Sequence, residues 1–466
     1  MNGASVSGSQ RPRGRPIGRP EWLVARAFAV LILVGMGVLM LPVSNADGRW
    51  RDPLSALFTA TSAATVTGLT VADTGSAFSR FGQGVILLLI QIGGVGLMTL
   101  ATFLLVVVGR RMSLSDENLL MRTLGLARAA GLRAVLLKTI VFTVLFELVG
   151  ATLLSWRMAT VHGMSYGRAW FEGLFHAVSA FCNAGFALRA DSLASYRQDP
   201  WVVLTMVGLI VLGGLGFLVW HELTSLRFWR RPEGGRRLSV HTRLVLVSTA
   251  VLIGGAALAF LALEWGHSLR VYSLVQRGWI ALFHAVTPRT AGFQLVEVAG
   301  LRVPTLFLTM GLMFIGGAPC SMAGGVKVTT LVVMILTVRA MVRGDPDVRY
   351  AERTLPERAV REGLAIFTLG LLLVILFFGV LLLTEPAILR GGIGSGADAL
   401  LFETVSAFGT VGLSVGVTGQ ISPMGRIALI LLMVAGRLGP LTLASFIGGR
   451  EVKQRVRYPE EHVVLG

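Results

Sequence analysis

Charge is scarce in this chain. Only 14% of its 466 residues are Asp, Glu, Lys or Arg, where a soluble enzyme of this length carries about 25%. Cysteine is nearly absent. Cys182 and Cys320 both lie in apolar stretches, and two isolated thiols supply neither a disulfide framework nor a transition-metal site. HExxH does not occur and the histidines are scattered, so an intramembrane hydrolase lacks a base or metal set beside a nucleophile, and the chain is not read as an enzyme. A Walker motif and a strand-led GxGxxG are missing too, which leaves no nucleotide-binding fingerprint and no covalently bound cofactor to expect. Acidic residues are outnumbered 25 to 42, for a formal charge of +17. The excess is not a nucleic-acid surface, because it gathers between hydrophobic segments, at Arg11 to Arg19, Arg110 to Lys138, Arg227 to Arg243, Arg339 to Arg361 and Arg450 to Arg457. Such basic linkers mark the cytoplasmic side of a membrane protein, where they also attract anionic lipid.

Apolar residues make up 54% of the chain, with a mean hydropathy of +0.72. Runs near the roughly 20 residues that cross the hydrocarbon core are Leu23 to Leu41, Gly84 to Val108, Val202 to Val219, Leu244 to Leu263 and Leu364 to Leu383. Runs of this length read as helices, since a helix satisfies its own backbone in lipid. The class is an all-α, multi-pass membrane protein.

Its organisation comes from an internal repeat. Leu57-Phe58-Thr59-Ala60-Thr61-Ser62-Ala63 leads to Thr65-Val66-Thr67-Gly68-Leu69, and Leu174-Phe175-His176-Ala177-Val178-Ser179-Ala180 leads to Cys182-Asn183-Ala184-Gly185-Phe186. Leu282-Phe283-His284-Ala285-Val286-Thr287 leads to Arg289-Thr290-Ala291-Gly292-Phe293, and Leu401-Phe402-Glu403-Thr404-Val405-Ser406-Ala407 leads to Gly409-Thr410-Val411-Gly412-Leu413. The leading Leu stands 11 residues before the Gly in three copies and 10 in the third, and the glycines recur at intervals of 117, 107 and 120 residues. A period this long means a repeated membrane module. Each Leu-Phe segment is too short to cross, so the unit reads as helix, re-entrant half-helix, Gly-centred loop, helix. With the basic linkers on one side, all four loops share the other, and the repeats run parallel around one central pore. The expected divisions are a disordered cytoplasmic tail (1–20), repeats at 21–112, 113–231, 232–343 and 344–449, and a cytoplasmic C-terminal tail (450–466).

Four such loops on one axis make a ring of backbone carbonyls, which can replace the hydration shell of K⁺. The candidate filter is Thr65, Val66, Thr67 and Gly68; Cys182, Asn183, Ala184 and Gly185; Thr290, Ala291 and Gly292; Thr410, Val411 and Gly412. For one glycine, close helix packing is the better explanation; four in register after the same segment favour the pore. Glycine pairs recur in the second helices at Gly93-Gly94-Val95-Gly96, Gly213-Gly214-Leu215-Gly216, Gly316-Gly317 and Gly436-Arg437-Leu438-Gly439. In the third, Gly316 to Gly325 interrupts a long apolar span, predicting an irregular intramembrane loop that narrows the path. Gly316, Gly317, Ser321, Gly324, Gly325, Lys327 and Arg437 are the candidate gate. Arg437 is expected to bond loop carbonyls, with helix packing or snorkelling as the alternative; Arg289 is expected to brace its loop, with Glu403 or Asp73 as partner. His176 and His284, at equivalent positions, read as packing residues, and Glu147 and Glu172 have no assigned role.

These residues resemble the Trk/Ktr/HKT superfamily of potassium transporters over nearly the whole chain after Pro20. Thr65-Val66-Thr67-Gly68-Leu69, Arg289-Thr290-Ala291-Gly292-Phe293 and Gly436-Arg437-Leu438-Gly439-Pro440-Leu441-Thr442 look like its first and third filters and its fourth-repeat helix. A single spanning helix before the first loop is similar to the Ktr-type membrane subunit. The resemblance implies potassium uptake through one path per chain in the cell membrane, sodium stimulation or symport, a homodimer, and control by a cytosolic RCK-type nucleotide-binding subunit. It also implies that Gly68, Gly185, Gly292 and Gly412 line the filter and that Arg437 lies beneath it. Ala318-Pro319-Cys320 departs from the family pattern, where small residues and Ser are usual. The competing reading is a secondary transporter of another monovalent cation or a small solute.

Overall fold

The structure, a computed structural model, describes residues 20–96, 132–225, 238–389 and 396–439. The expected tails, most of the linkers at 110–138 and 227–243, and Pro440-Leu441-Thr442 lie outside the described residues.

Each repeat has a long outer helix, a short helix and an inner helix. The first has α1 (Pro20–Met40), α2 (Pro53–Ala64) and α3 (Arg80–Val95). The second has α4 (Leu132–Thr160), α5 (Tyr166–Phe181) and α6 (Pro200–Gly214), continued by α7 (Phe217–Ser225). The third has α8 (Val240–Glu264), α9 (Leu274–Val286) and α10 (Val303–Phe314), continued by α11 (Val328–Arg343). The fourth has α12 (Glu357–Thr384), α13 (Ala397–Gly409) and α14 (Pro423–Leu438). A two-stranded hairpin, Arg349–Tyr350 with Arg353–Thr354, joins the last two repeats.

The short helices span 12 to 16 residues, about 18–24 Å at 1.5 Å per residue, which falls short of the roughly 30 Å hydrocarbon core. Helices α4, α8 and α12 are long and apolar enough to cross. Helix α4 escaped the list of apolar runs because Arg133, Lys138, Glu147 and Arg157 dilute it. Two expected spans are corrected. The run from Val202 to Val219 bends by 95° between α6 and α7, where Gly216 takes φ +83°. The run from Gly84 to Val108 leaves the helix at Gly96, φ +86°, and its remainder lies outside the described residues. In both cases glycine permits a left-handed backbone that ends the helix.

The repeats close on themselves. Within repeats 1, 2 and 4 the short helix packs against both the outer and the inner helix; in repeat 3, α9 packs against the outer helix α8, which also contacts the inner helix α10. Between repeats, α3 packs on α5, α6 on α9, α10 on α13, and α14 returns to α2. Every inner helix therefore meets the next short helix, and the fourth meets the first. The Phe of each Leu-Phe segment (Phe58, Phe175, Phe283 and Phe402) is fully buried, which is why that dipeptide recurs.

Carboxylates seat the inner helices. Glu264 accepts from Arg302 N (3.0 Å) and Thr305 Oγ1 (2.6 Å) at the start of α10, and Glu385 accepts from Ser422 N (3.0 Å) before α14. Asp199 caps α6 through Trp201 N (3.1 Å) and pairs with Arg157 (2.7 Å) and His162 (3.1 Å). Burial pushes the Asp199 carboxyl up, but the bonds from Arg157 and His162 outweigh it and hold it below the usual aspartate value. A depressed carboxyl stabilises the fold above its unfolded pKa of about 3.9 and loses that contribution as pH falls through the lowered value. Asp199→Ala is expected to cost about 1 kcal/mol, read as a lower melting temperature in detergent at neutral pH. The gap to wild type should close below about pH 3.9; a gap independent of pH would refute the ion-pair assignment.

Candidate functional site

The four short helices end where the candidate filter begins. In each loop the residue two before the glycine has positive φ: Val66 (+58°), Asn183 (+57°), Thr290 (+74°) and Thr410 (+50°). The glycines follow at +90°, +71°, +75° and +89° for Gly68, Gly185, Gly292 and Gly412. The residue between has negative φ, and this alternation turns successive carbonyls to one side of the strand. The amides of Thr67, Ala184, Ala291 and Val411 donate back to Ser62 O (2.8 Å), Ser179 O (2.7 Å), Thr287 O (2.9 Å) and Ser406 O (2.9 Å). The carbonyls of the same four residues accept no hydrogen bond among the described residues.

Those carbonyls meet the glycines of neighbouring loops. A Cβ built on Gly68 would overlap Ala184 O, one on Gly292 would overlap Val411 O, and one on Gly412 would overlap Thr67 O. One on Gly185 would stand 3.0 Å from Ala291 O. The contacts run from loop 1 to 2, 2 to 3, 3 to 4 and 4 to 1, so Thr65 to Gly68, Cys182 to Gly185, Thr290 to Gly292 and Thr410 to Gly412 come together as one closed ring. The missing residue in the third copy leaves the ring intact: Thr287 stands five residues before its glycine, where Ser62, Ser179 and Ser406 stand six before theirs. The short helices present their C-terminal ends to this ring, and those ends carry partial negative charge that favours a cation.

Sequence reasoning missed the hydroxyl brace. Ser62 Oγ accepts from Gly68 N (3.0 Å) and Ser406 Oγ from Gly412 N (3.1 Å), while Ser179 Oγ donates to Phe186 O (2.8 Å) and Thr287 Oγ1 to Phe293 O (2.6 Å). Its signal was present as a Ser or Thr in register in all four copies. The recurrent glycine pairs have a packing role: a Cβ on Gly93, Gly213 or Gly436 would overlap the carbonyl of Ala64, Phe181 or Phe408, at the end of the short helix in the same repeat. His176 and His284 are packing residues, His176 bonded to Glu172 O (2.7 Å) and His284 stacked on Phe260 at 4.8 Å.

The expectation for Arg289 is corrected. It reaches Thr249 Oγ1 on α8 at 3.4 Å. Glu403 is engaged with Ser414, Val415 N and Thr418, and Asp73 caps the turn at Ser76. Arg289 points outward because the loop turns carbonyls, and not this side chain, toward the neighbouring glycines.

The segment Gly316 to Gly325 is an irregular loop between α10 and α11. Gly316 N donates to Val326 O (2.8 Å), Ala318 N to Gly214 O (3.0 Å) and Val328 N to Gly317 O (3.0 Å). The loop lies against the ring: a Cβ on Gly324 would overlap Thr410 Oγ1, and one on Gly316 would stand 3.5 Å from Thr290 Cγ2. Gly325 has φ +65°, and Ser321 Oγ accepts from Ala323 N at 3.3 Å. Lys327 Nζ donates to Ala323 O within the same loop. Arg437 donates to Met322 O and Gly93 O, and to Gly94 O at 3.2 Å, so it ties the loop to α3. A cavity of about 250 Å³ is lined by Gly94, Gly213, Cys320, Met322 and Arg437; another of about 240 Å³ is lined by Gly68, Gly412, Gln294, Glu297 and Ser414.

The family model of the TrkH cation transport proteins matches residues 28–448. The chain is 37% identical to the Ktr system potassium uptake protein B of Bacillus subtilis, over 96% of this chain and 97% of that one. It is 35% identical to the potassium/sodium uptake protein NtpJ of Enterococcus hirae, over 96% and 97%. The crystal structure of the potassium transporter TrkH from Vibrio parahaemolyticus has the same fold, with a TM-score of 0.69 at 20% identity, covering 94% of this chain and 86% of that one.

Two glycines of α6 separate close approach from mere helix content. Gly213→Ala is expected to cost about 1–3 kcal/mol through overlap with Phe181 O, whereas Gly208, with open space around its built Cβ, should tolerate alanine or gain slightly. Melting temperatures of the two variants in detergent test this. Equal behaviour would mean that the seat on the short helix does not constrain α6.

Proposed function

The chain belongs to the TrkH family of cation transport proteins, and from that premise we propose that it is the pore-forming membrane subunit of a potassium uptake system. The observation that carries the reading is the closed ring in which the carbonyls of Thr67, Ala184, Ala291 and Val411 abut the next loop's glycine and have no backbone donor of their own among the described residues. Buried carbonyls without donors are costly, and a dehydrated K⁺ is the partner such a ring accepts. The filter residues act through main-chain oxygens, so side chains as different as Thr65, Cys182 and Arg289 are tolerated beside them. The four repeats, at 21–112, 113–231, 232–343 and 344–449, each contribute one loop.

Beneath the ring, the loop from Gly316 to Gly325 with Lys327 and Arg437 is the gate. The cation Arg437 is spent on the carbonyls of Met322, Gly93 and Gly94, which locks the loop across the path. Opening requires those bonds to exchange for others, so the guanidinium sets the barrier. Control comes from outside the chain: a cytosolic RCK-type nucleotide-binding subunit docks on the basic cytoplasmic side, where both termini lie. The working unit is a homodimer in the cell membrane, and Na⁺ stimulates uptake.

The test is K⁺ uptake by cells lacking their own potassium transporters, with and without Na⁺ and the regulatory subunit. Uptake from low external K⁺, accelerated by Na⁺, is the expected result; none from protein present in the membrane with its regulator would overturn the potassium reading. Gly412→Ser, at φ +89° and against Thr67 O, is expected to raise Na⁺ permeation relative to K⁺, and an unchanged ratio would remove Gly412 from the filter. Shortening the segment from Gly316 to Gly325 should increase flux; equal flux would mean the constriction lies elsewhere.

A further inference from the structure

The position three residues before the ring glycine differs in every repeat: Thr65, Cys182, Arg289 and Gly409. In the third repeat this side chain reaches the outer helix of its own repeat, Arg289 to Thr249. The second repeat does the same with different chemistry. Cys182 Sγ lies 3.7 Å from Glu147 Oε1 on α4 and 3.7 Å from Gln91 Oε1 on α3, and Gln91 Nε2 donates to Glu147 Oε2 at 3.1 Å. The three side chains form a closed triangle joining the inner helix of repeat 1, the outer helix of repeat 2 and the second ring loop. Cys182 is fully buried, Glu147 is 5% exposed, and the thiol is boxed so tightly that a Cβ on Gly94 would stand 2.6 Å from it.

Hydrogen counting decides how the triangle is wired. The thiol has one hydrogen and faces two oxygens, and a carboxylate adds none, so one contact would lack a donor. A carboxylic acid supplies the missing hydrogen. Gln91 N–H then donates to Glu147, Glu147 O–H to Cys182 Sγ, and Cys182 S–H to Gln91 Oε1. Among the described residues no ion pair includes Glu147, and a buried polar group at membrane depth is stable only when satisfied.

We propose that Glu147 is a positioning residue for the second ring loop: it holds Cys182, and through it the carbonyls of Asn183 and Ala184, in register, and so sets discrimination between K⁺ and Na⁺ without touching the ion. The proposal rests on the filter reading above. Cys182 is the C-cap residue of α5, and the next residue already has the left-handed conformation that starts the ring strand. A rotation at Cys182 therefore propagates directly into the carbonyls. An outer-helix residue acts here as Thr249 acts for Arg289, which gives each of these two loops its own lateral tether.

The experiment compares K⁺ and Na⁺ uptake by wild type, Glu147→Ala, Glu147→Gln and Gln91→Leu at matched membrane abundance. Glu147→Ala and Gln91→Leu should each lower the K⁺ to Na⁺ uptake ratio about fivefold, the scale of one lost buried hydrogen bond. Glu147→Gln keeps an N–H donor and a carbonyl acceptor, and its ratio should stay within about twofold of wild type. A Glu147→Ala protein in the membrane with the wild-type ratio overturns the inference. So does a Glu147→Gln protein as unselective as Glu147→Ala, because charge and not hydrogen bonding would then matter. Where Glu147→Ala does not reach the membrane, the ratio of Gln91→Leu decides in the same way. A wild type that does not discriminate sinks the filter reading itself, whereas a selective wild type with equally selective variants sinks only the role of Glu147.

Discussion

Everything in this molecule is arranged around backbone that approaches backbone without a side chain between. Each ring glycine lies against a carbonyl of the next loop, and three inner helices press a glycine onto the carbonyl that ends their short helix. A methyl group at these places would overlap a main-chain atom, which cannot swing aside as a side chain does. The non-glycine residues at positive φ, Val66, Asn183, Thr290 and Thr410, cost of order 1 kcal/mol each. They persist because the following amide is tied into the short helix and a Ser or Thr hydroxyl braces the same turn. Since each loop is positioned by its neighbour, the ring is fixed as a unit.

The rigidity has an electrostatic purpose. At membrane depth no water satisfies stray dipoles, so irregular backbone survives only where protein or a solvated path surrounds it. On the proposed reading, four helix C-termini and four inward-turned carbonyls form one site whose dipoles are set before an ion arrives, which avoids reorganisation when it does. The loop from Gly316 to Gly325 is the second irregular element. Arg437 satisfies three of the carbonyls around it, so a charge that is expensive in lipid becomes a fastener between α14, α3 and the loop.

Four-fold repetition stops at the glycines and hydroxyls. The positions just ahead of the ring carry Thr65, Cys182, Arg289 and Gly409, and among the described residues only repeat 3 continues past its break into a long irregular loop before α11. The outer helices likewise differ, with Glu147 and Thr249 each serving its own loop. Repeats that share the ring but not its supports hold one common ring while differing in the contacts that brace each loop.

The repeat, the helical class and the ring residues were legible in the sequence because they follow from local demands: apolar length for a span, a short segment for a half-helix, glycine where a carbonyl must turn inward. The interruption at Gly316 was legible for the same reason, as glycine and proline break a helix wherever they stand. What tertiary structure alone decided concerns partners far apart in the chain. Arg289 turned to Thr249 and not to Glu403 or Asp73, the run from Val202 to Val219 bent at Gly216, where Phe217 N donates to Cys320 O (3.1 Å), and Gln91, Glu147 and Cys182 met from three separate elements. Periodicity and propensity report what one segment requires of itself. They carry no distance between segments, so the sequence by itself determined which backbone had to be bare, and only the folded chain decided what would press against it.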